Sequence, residues 1–316
     1  MSIFNKLQEP VFLRESSNAK RQLEQLKAVD CSGLSKELAA ELELNIKSLE
    51  LGIKGEENII FELKHSHMPM YVLHDLHLEH AGLLVQIDFL VFTQACTFVI
   101  ECKNLSGNIE INTKGDFILS NSYGKEQGIY SPLTQNQRKL DLIKYFCTSG
   151  RRGIVWETGF RWLFKYFFSS LIVLANDGTI INDKYAKKGI KSKVIRRDAL
   201  IAHIRKVKKH TSFLFTDYSG KIMKSNAEFL LDSHIEREID YAAKYRAESI
   251  GVSQQPFTIS TEAVVNQELS VSYTCPECNA VMTIKTRKRD GVKFWGCPNY
   301  YVKCSGSVTH DYVNMD

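Results

Sequence analysis

The sequence QIDFLVF, residues 86–92, is followed after four residues by TFVIECKN, residues 97–104. Both runs are short and rich in β-branched and aromatic residues, so they predict two strands joined by a tight turn. Three charged side chains interrupt this apolar hairpin, Asp88 in the first run and Glu101 and Lys103 in the second. Because charged residues are rare in buried strands, these three are the first candidates for a functional site.

The register of the hairpin decides whether the charges meet. If Phe92 pairs with Thr97, Asp88 lies directly opposite Glu101, and the two-residue period of a strand puts Lys103 on the same face as Glu101. Opposed carboxylates destabilise a hairpin and are costly to bury unless they are paired or bind a metal. We therefore expect a divalent-cation site with a lysine beside it, in which each carboxylate raises the pKa of the other until metal binds. The alternative is a set of ordinary strand-end residues on a solvated face.

The run VIECKN, residues 99–104, together with Asp88 before it and Gly107 after it, resembles the core of the PD-(D/E)xK nuclease superfamily. More narrowly, it resembles the nuclease-related domain known as NERD. The resemblance implies that Asp88 and Glu101 bind Mg²⁺ or Mn²⁺ and that Lys103 orients or deprotonates the attacking water. The order of predicted strands and helices indicates an α/β layer sandwich with a mixed sheet, and the resemblance implies its restriction-endonuclease-like α/β/α form.

Two further residues enter the candidate site through the same resemblance. Glu56, after Gly55 in a predicted helix, matches the opening motif of the family, which implies a third carboxylate near the metal. Gln135 follows Pro132 at the start of another predicted helix and matches a glutamine placed beside the catalytic cluster. From the residues alone, Glu56 is better interpreted as part of a solvated helix face, and Gln135 could equally belong to one.

Histidines are concentrated just before the hairpin, where five of the nine lie between His65 and His80. Alternation along the predicted strand would put His74 and His77 on opposite faces, and no acidic or cysteine partner stands at a convincing interval. We therefore expect no metal site from this cluster.

Composition limits the classes of function that the chain can have. Its 316 residues allow two domains, and 44% hydrophobic with 24% charged residues is ordinary for a globular protein. A net charge of +5 is only mildly basic, so nucleic-acid binding must depend on local clusters. One cluster is the stretch 184–209, which contains eleven Lys or Arg residues and a single acid, Asp198. Such a stretch tracks a phosphate backbone or is simply a solvated basic surface.

The amino terminus lacks the apolar core of a signal peptide, and no apolar run is long enough to span a bilayer. The eight cysteines do not form a disulfide framework. These features predict a cytoplasmic protein that does not associate with a membrane, and association with a bacterial nucleoid is compatible with them.

The chain is expected to divide into four parts. Residues 1–50 would form a helical segment, and residues 51–250 the nuclease-like domain, with its core at about 51–165. Residues 251–272 are rich in Ser, Thr and Gln without a core pattern, which predicts a linker. The last part, 273–316, is a small domain of its own.

That last part contains two cysteine pairs separated by 18 residues. The four thiols are Cys275, Cys278, Cys297 and Cys304. Four thiolates in two pairs suit one tetrahedral, structural Zn²⁺ per chain, with no open coordination position. A segment this short cannot bury enough apolar surface alone, so the metal would carry its folding.

Basic and aromatic side chains are interleaved between the cysteine pairs. They are Lys285, Arg287, Lys288, Arg289, Lys293, Phe294 and Trp295. This pattern predicts a basic hairpin that binds single-stranded DNA through phosphate contacts and base stacking, the alternative being a protein-binding ribbon. The pattern CPEC followed by FWGCPNYYVKC also closely resembles the C4 zinc ribbon at the C-terminus of bacterial type IA topoisomerases. Since we find no topoisomerase catalytic domain, that resemblance implies DNA binding and not strand passage.

Together these features predict a metal-dependent phosphodiesterase that acts on DNA and is targeted by the zinc ribbon. Two alternatives stay open at this point. One is a non-catalytic nucleic-acid-binding adapter, and the other is a module that recruits a topoisomerase or repair proteins.

Overall fold

A computed structural model of the chain describes residues 7–80, 83–121, 124–148, 163–211, 220–236, 239–249, 283–286 and 293–296. The chain divides into two compact units, Met1–Phe257 and Thr258–Asp316. The division falls within the segment predicted as a linker. Among the described residues, no helix is both long enough and apolar enough to cross a membrane.

The described strands and helices follow one another along the chain. The strands are β1 (Pro10–Arg14), β2 (Met70–His80), β3 (Leu83–Thr93), β4 (Thr97–Lys103), β5 (Asn108–Ile111), β6 (Phe117–Ser120), β7 (Glu126–Ile129), β8 (Phe168–Leu174), β9 (Ile181–Asn182), β10 (Val194–Arg196), β11 (Thr283–Thr286) and β12 (Lys293–Gly296). The helices are α1 (Asn18–Lys27), α2 (Lys36–Lys64), α3 (Pro132–Thr148), α4 (Lys188–Lys191), α5 (Leu200–Thr211), α6 (Gly220–Leu231) and α7 (Ala243–Ser249).

The first unit is built on a six-stranded mixed sheet with the order β1-β2-β3-β4-β8-β10. The central strands β2, β3 and β4 are antiparallel, whereas β1, β8 and β10 each run parallel to their neighbours. The predicted register is confirmed, because Phe92 pairs with Thr97 and Phe89 with Ile100. The central hairpin therefore forms as the sequence predicts.

A smaller four-stranded sheet, with the order β7-β6-β5-β9, is also mixed. Its buried residues Ile109 and Phe117 pack in one apolar cluster with Ile172 and Leu174 of β8. This sheet therefore lies against the carboxyl end of β8, close to the end of β4 that carries Lys103.

Helices cover both faces of the large sheet. On one face, Ile59 of α2 and Ile204 of α5 belong to a single core cluster with strand residues. On the other face, Ile143 of α3 and Met223 of α6 belong to a second cluster. The layers are therefore helix, mixed sheet and helix, which confirms the predicted α/β class.

The amino-terminal segment differs from its prediction. Helix α2 begins after the N-cap Ser35 and continues to Lys64, so the boundary expected between residues 50 and 51 falls inside one helix. Strand β1 pairs with β2 and thereby joins the large sheet. Residues 7–50 thus share the sheet and the helical layer of the first unit, because the apolar period of α2 has no break at residue 50.

Gly55 allows α2 to lie close to the end of β4. A Cβ atom at this position would stand 2.7 Å from Asn104 Cβ, 3.2 Å from Cys102 Sγ and 3.3 Å from Ala175 Cβ. At Gly52, three residues earlier in the same helix, a Cβ atom would meet nothing within 4 Å. The glycine of the Gly55-Glu56 pair therefore serves packing, and it brings the next residue close to the sheet.

This difference predicts opposite effects for two matched substitutions. Gly55→Ala should lower the free energy of unfolding by about 1–3 kcal/mol, because the added methyl overpacks the contact with β4. Gly52→Ala should raise it by about 0.5–1 kcal/mol, because alanine is the better helix former and open space surrounds the site. Urea unfolding of both variants measures the two changes, and stabilisation by both would contradict the close approach of α2.

The second unit is described only at two strands. β11 and β12 pair antiparallel, with Lys285 opposite Phe294 and Ile284 opposite Trp295, which confirms the predicted hairpin. Lys285 lies within β11 and Lys293 begins β12. Arg287, Lys288, Arg289 and the four cysteines Cys275, Cys278, Cys297 and Cys304 lie outside the described residues.

Candidate active site

Asp88 lies where the regular ladder of the central hairpin ends. The last regular pair between β3 and β4 is Phe89 with Ile100. Beyond this pair, the Asp88 side chain takes the place of a backbone acceptor. Its Oδ2 accepts a hydrogen bond from the backbone N–H of Cys102 at 2.8 Å. One carboxylate oxygen of Asp88 is thus held by the backbone of β4, which leaves the other, Oδ1, for a different partner.

The neighbouring strand is irregular at the same level. Asp75 of β2 has a positive φ of 55°, and the regular pairs around it are His74 with Phe89 and Leu76 with Ile87. Both strands change faces there, since Ile87 and Phe89 belong to different core clusters. The carboxylate of Asp75 is held by structural contacts, accepting from Asn18 N–H and from Gln86 Nε2, both at 2.7 Å.

Glu101 and Lys103 lie on one face of β4, as the two-residue period predicts. Lys103 Nζ is 2.8 Å from Glu101 Oε1. Cys102, between them, packs on the opposite face against the core cluster that contains α2. Glu101 is buried, with only 6% of its side chain exposed, so it needs positively charged partners.

A second lysine, which sequence reasoning missed, completes the charge balance. Lys139 Nζ, from α3, lies 3.0 Å from Asp88 Oδ1 and also donates to Glu101 Oε2. The side chain of Lys139 is 12% exposed and that of Asp88 is 16% exposed. Two carboxylates and two ammonium groups therefore form one nearly buried network.

Asn136 holds α3 in place above the sheet. Its buried Nδ2 donates to Val99 O at 2.8 Å and to Ser170 Oγ at 2.9 Å, which joins the helix to β4 and β8. Lys139 lies one turn further along the helix. Gln135, which the resemblance implied, lies half-buried one turn before Lys139. Residues four apart share a helix face, so the resemblance that implied Gln135 beside the catalytic cluster could also have indicated Lys139.

Glu56 approaches from the opposite helical layer. Its Oε2 lies 3.0 Å from Nε2 of the buried His74, whose ring stacks on Phe89 at a centroid distance of 4.7 Å. The His74 Nδ1 is 3.5 Å from Glu15 O. His74 therefore positions Glu56, a role that its place in a histidine cluster did not indicate.

The pKa values of the two central carboxyl groups move in opposite directions. Burial first, and then the charge of Glu101, raise the pKa of Asp88 to about 6, and Glu56 adds to this effect. Burial also opposes ionisation of Glu101, but Lys139 and Lys103 outweigh it and lower the pKa of Glu101 to about 2. The expected rise in pKa is therefore not found at Glu101, because the two lysines outweigh the effects that oppose its ionisation.

Two basic groups shift for related reasons. Burial opposes protonation of Lys139, but Asp88 and Glu101 outweigh it and raise the pKa of this lysine. For His74, burial likewise opposes protonation, and the hydrogen bond to Glu56 outweighs it, so the pKa of His74 is raised. The acids that these two groups contact therefore favour their charged forms.

The donor set of this site fits Mg²⁺ or Mn²⁺ with few protein ligands. Asp88 Oδ1 and Glu101 Oε2 converge on one point, the point where Lys139 Nζ lies. In proteins Mg²⁺ commonly takes one or two carboxylates and completes its shell with waters and substrate phosphates. Within the described ranges, no group of three or more His, Cys, Asp or Glu residues is arranged to hold a metal ion. A divalent cation would therefore have two protein ligands, Asp88 and Glu101, because Glu56 is held by its contact with His74.

Part of the basic stretch 184–209 has structural partners. Arg197 donates two hydrogen bonds to Asp177, at 2.5 and 2.6 Å, and Arg205 donates to Ser66 O at 2.9 Å. Among the described side chains of this stretch, the exposed lysines are Lys184, Lys187, Lys188, Lys193 and Lys206. Any contact with phosphates would therefore depend on these lysines more than on the two arginines.

The fold is a mixed sheet between two helical layers. At the end of its central hairpin, Asp88 meets Glu101 and Lys103. This combination is consistent with a nuclease-like α/β protein. Residues 51–175 match the family model NERD, the nuclease-related domain, which confirms that resemblance. The matched range contains Glu56, Asp88, Glu101, Lys103 and Lys139. Comparison with curated proteins and with solved structures found no match.

Proposed function

We propose that the first unit is a divalent-metal-dependent phosphodiesterase that acts on DNA. The observation that carries the proposal is the convergence of Asp88 and Glu101 on one cation position, with Lys103 beside it. The match to a nuclease-related domain supports the class of reaction. A buried site with paired carboxylates and lysines is also a costly arrangement that structure alone does not require.

Asp88 and Glu101 would hold the metal, through Oδ1 and Oε2. When bound, Mg²⁺ or Mn²⁺ supplies charge stabilisation at phosphorus and a more acidic water. Lys103, fixed at 2.8 Å from Glu101 Oε1, would orient the attacking water or take its proton. Glu56 would add negative charge from α2, and Gln135 would line the site from the first turn of α3.

A second candidate, the non-catalytic nucleic-acid-binding adapter, has one observation in its favour. Lys139 and Lys103 together balance the charges of Asp88 and Glu101, so the network is neutral without a metal. In that case the site is a structural ion-pair cluster, and the nuclease fold serves binding alone. The same adapter would recruit a topoisomerase or repair proteins through the second unit.

The test is a cleavage assay with the purified full chain on single- and double-stranded DNA. Cleavage is expected with Mg²⁺ or Mn²⁺ and should stop when a chelator removes the metal. An Asp88→Ala variant prepared in parallel controls for contaminating nucleases. DNA binding without cleavage under every metal condition would favour the adapter.

We further propose that the second unit is a zinc ribbon that targets the protein to DNA, single strands being favoured. The support is the spacing of Cys275, Cys278, Cys297 and Cys304 and the resemblance to topoisomerase ribbons. Metal analysis of the full chain should find about one zinc per chain, lost when the chain ends at Gln267. Equal zinc content in both proteins would move the site elsewhere and contradict the ribbon.

A further inference from the structure

We propose that Lys139 occupies the metal position between Asp88 and Glu101 and leaves that position when a divalent cation binds. This inference rests on the proposed function, because it concerns the same two carboxylates. It assigns Lys139 the role of an internal cation that keeps the metal-free site folded.

The four carboxylate oxygens carry the argument. Asp88 Oδ2 is taken by the N–H of Cys102 at 2.8 Å, and Glu101 Oε1 by Lys103 at 2.8 Å. The other two oxygens, Asp88 Oδ1 and Glu101 Oε2, both contact Lys139 Nζ. One oxygen of each acid is thus anchored, and the remaining pair is directed at a single point.

Charge excludes two cations from that point. With Lys139 in place, two carboxylates are balanced by two ammonium groups. A divalent cation bound to the same two oxygens would lie within contact distance of Lys139 Nζ, in surroundings where few waters screen the repulsion. The ammonium group and the metal therefore bind in competition.

Of the three groups that bond these acids, Lys139 is the one that can leave. Cys102 contributes a backbone N–H within β4, and Lys103 is only two residues from Glu101 on the same strand. Lys139 reaches the acids from α3 through a flexible four-carbon stem. Since Asn136 fastens α3 to β4 and β8, the stem can swing out while the helix stays in place.

The direct test needs no substitution. The full chain is treated briefly with an amine-reactive acylating reagent, without divalent metal and with saturating Mn²⁺, and labelling of each lysine is quantified by mass spectrometry. Lys139 should be protected without metal and its labelling should rise severalfold with Mn²⁺. Asp88→Asn, which loses a metal ligand, should show no such rise. Unchanged protection of Lys139 in wild-type protein that binds Mn²⁺ would overturn the proposal.

A calorimetric titration with Mn²⁺ distinguishes direct competition between Lys139 and the metal from a general effect of removing a positive charge. Lys139→Met should bind Mn²⁺ at least about tenfold more tightly than wild type, because the metal no longer displaces hydrogen bonds between charged groups. Lys103→Met removes the same charge beside Glu101 but vacates no metal position, so its gain should be smaller. Equal gains in the two variants would contradict displacement. Absence of Mn²⁺ binding in all three proteins would instead refute the metal site and the proposed function.

Discussion

Asp88→Asn should abolish both DNA cleavage and the stabilisation of the protein by Mg²⁺. A ligand that binds only the folded state stabilises it by RT ln(1 + [Mg²⁺]/Kd), which is about 2.7 kcal/mol at one hundred times Kd. Asparagine removes one of the two charged oxygen ligands, so this gain should disappear. Thermal unfolding with and without Mg²⁺ measures it, beside the cleavage assay on the same samples.

Lys103→Ala should separate these two properties. The substitution removes a positive charge beside Glu101, so metal binding should be kept or strengthened. Cleavage should still fall, by about 10²–10⁴-fold, because the attacking water loses the group that orients it or takes its proton. Equal loss of metal binding in both variants would assign Lys103 a structural role. If Mg²⁺ stabilises neither wild type nor Asp88→Asn, the carboxylates are not a metal site and the adapter becomes the better account.

The hairpin could be predicted because its strands and turn are specified by residues close together in the sequence. Alternation placed Glu101 and Lys103 on one face of β4, and the pairing of Phe92 with Thr97 aligned Asp88 with Glu101. The last step of the ladder could not be predicted, because the Asp88 carboxylate bonds to the N–H of Cys102 in place of a regular backbone pair.

Lys139 was not predicted because the negative charge of the two acids had already been assigned to a bound metal ion. Two opposed acids and one lysine leave a negative charge unbalanced, and that balance was assigned to a metal. The residue that supplies it lies 38 positions after Glu101, on a helix whose orientation depends on the contacts of Asn136. Charge counting shows that a partner is needed, whereas packing between α3 and the sheet decides which residue it is.

Two expectations, the alternation of the histidines along β2 and the domain boundary at residue 50, were wrong for related reasons. Regular alternation was assumed through β2, but the positive φ of Asp75 interrupts it, and the contact of His74 with Glu56 crosses from the sheet to α2. The boundary at residue 50 was drawn at the start of a family motif, not at a structural break, although α2 continues to Lys64. In each case the deciding contact is long-range.

The raised pKa of Asp88 predicts an unusual pH dependence of stability in the metal-free protein. The pKa of Asp88 is about 6 in the folded state against an ordinary value of 3.8, so between these values the folded state binds more protons than the unfolded state. The contribution of Asp88 to the free energy of unfolding should therefore fall by about 2 kcal/mol as pH rises from about 4 to 6. Glu101 acts oppositely, since its lowered pKa makes a contribution that is lost only as pH falls from 4.5 towards 2.

Asp88→Asn tests this dependence through its slope. Asparagine cannot ionise, but its amide presents a donor either to Lys139 or to the N–H of Cys102, so the variant loses a hydrogen bond at every pH. Relative to wild type, its free energy of unfolding should nevertheless increase by about 2.5 kcal/mol between pH 4 and pH 7 in the presence of a chelator. Urea unfolding across this range measures the difference. A difference independent of pH would show that Asp88 ionises normally in the folded protein, and the electrostatic description of the site would be wrong.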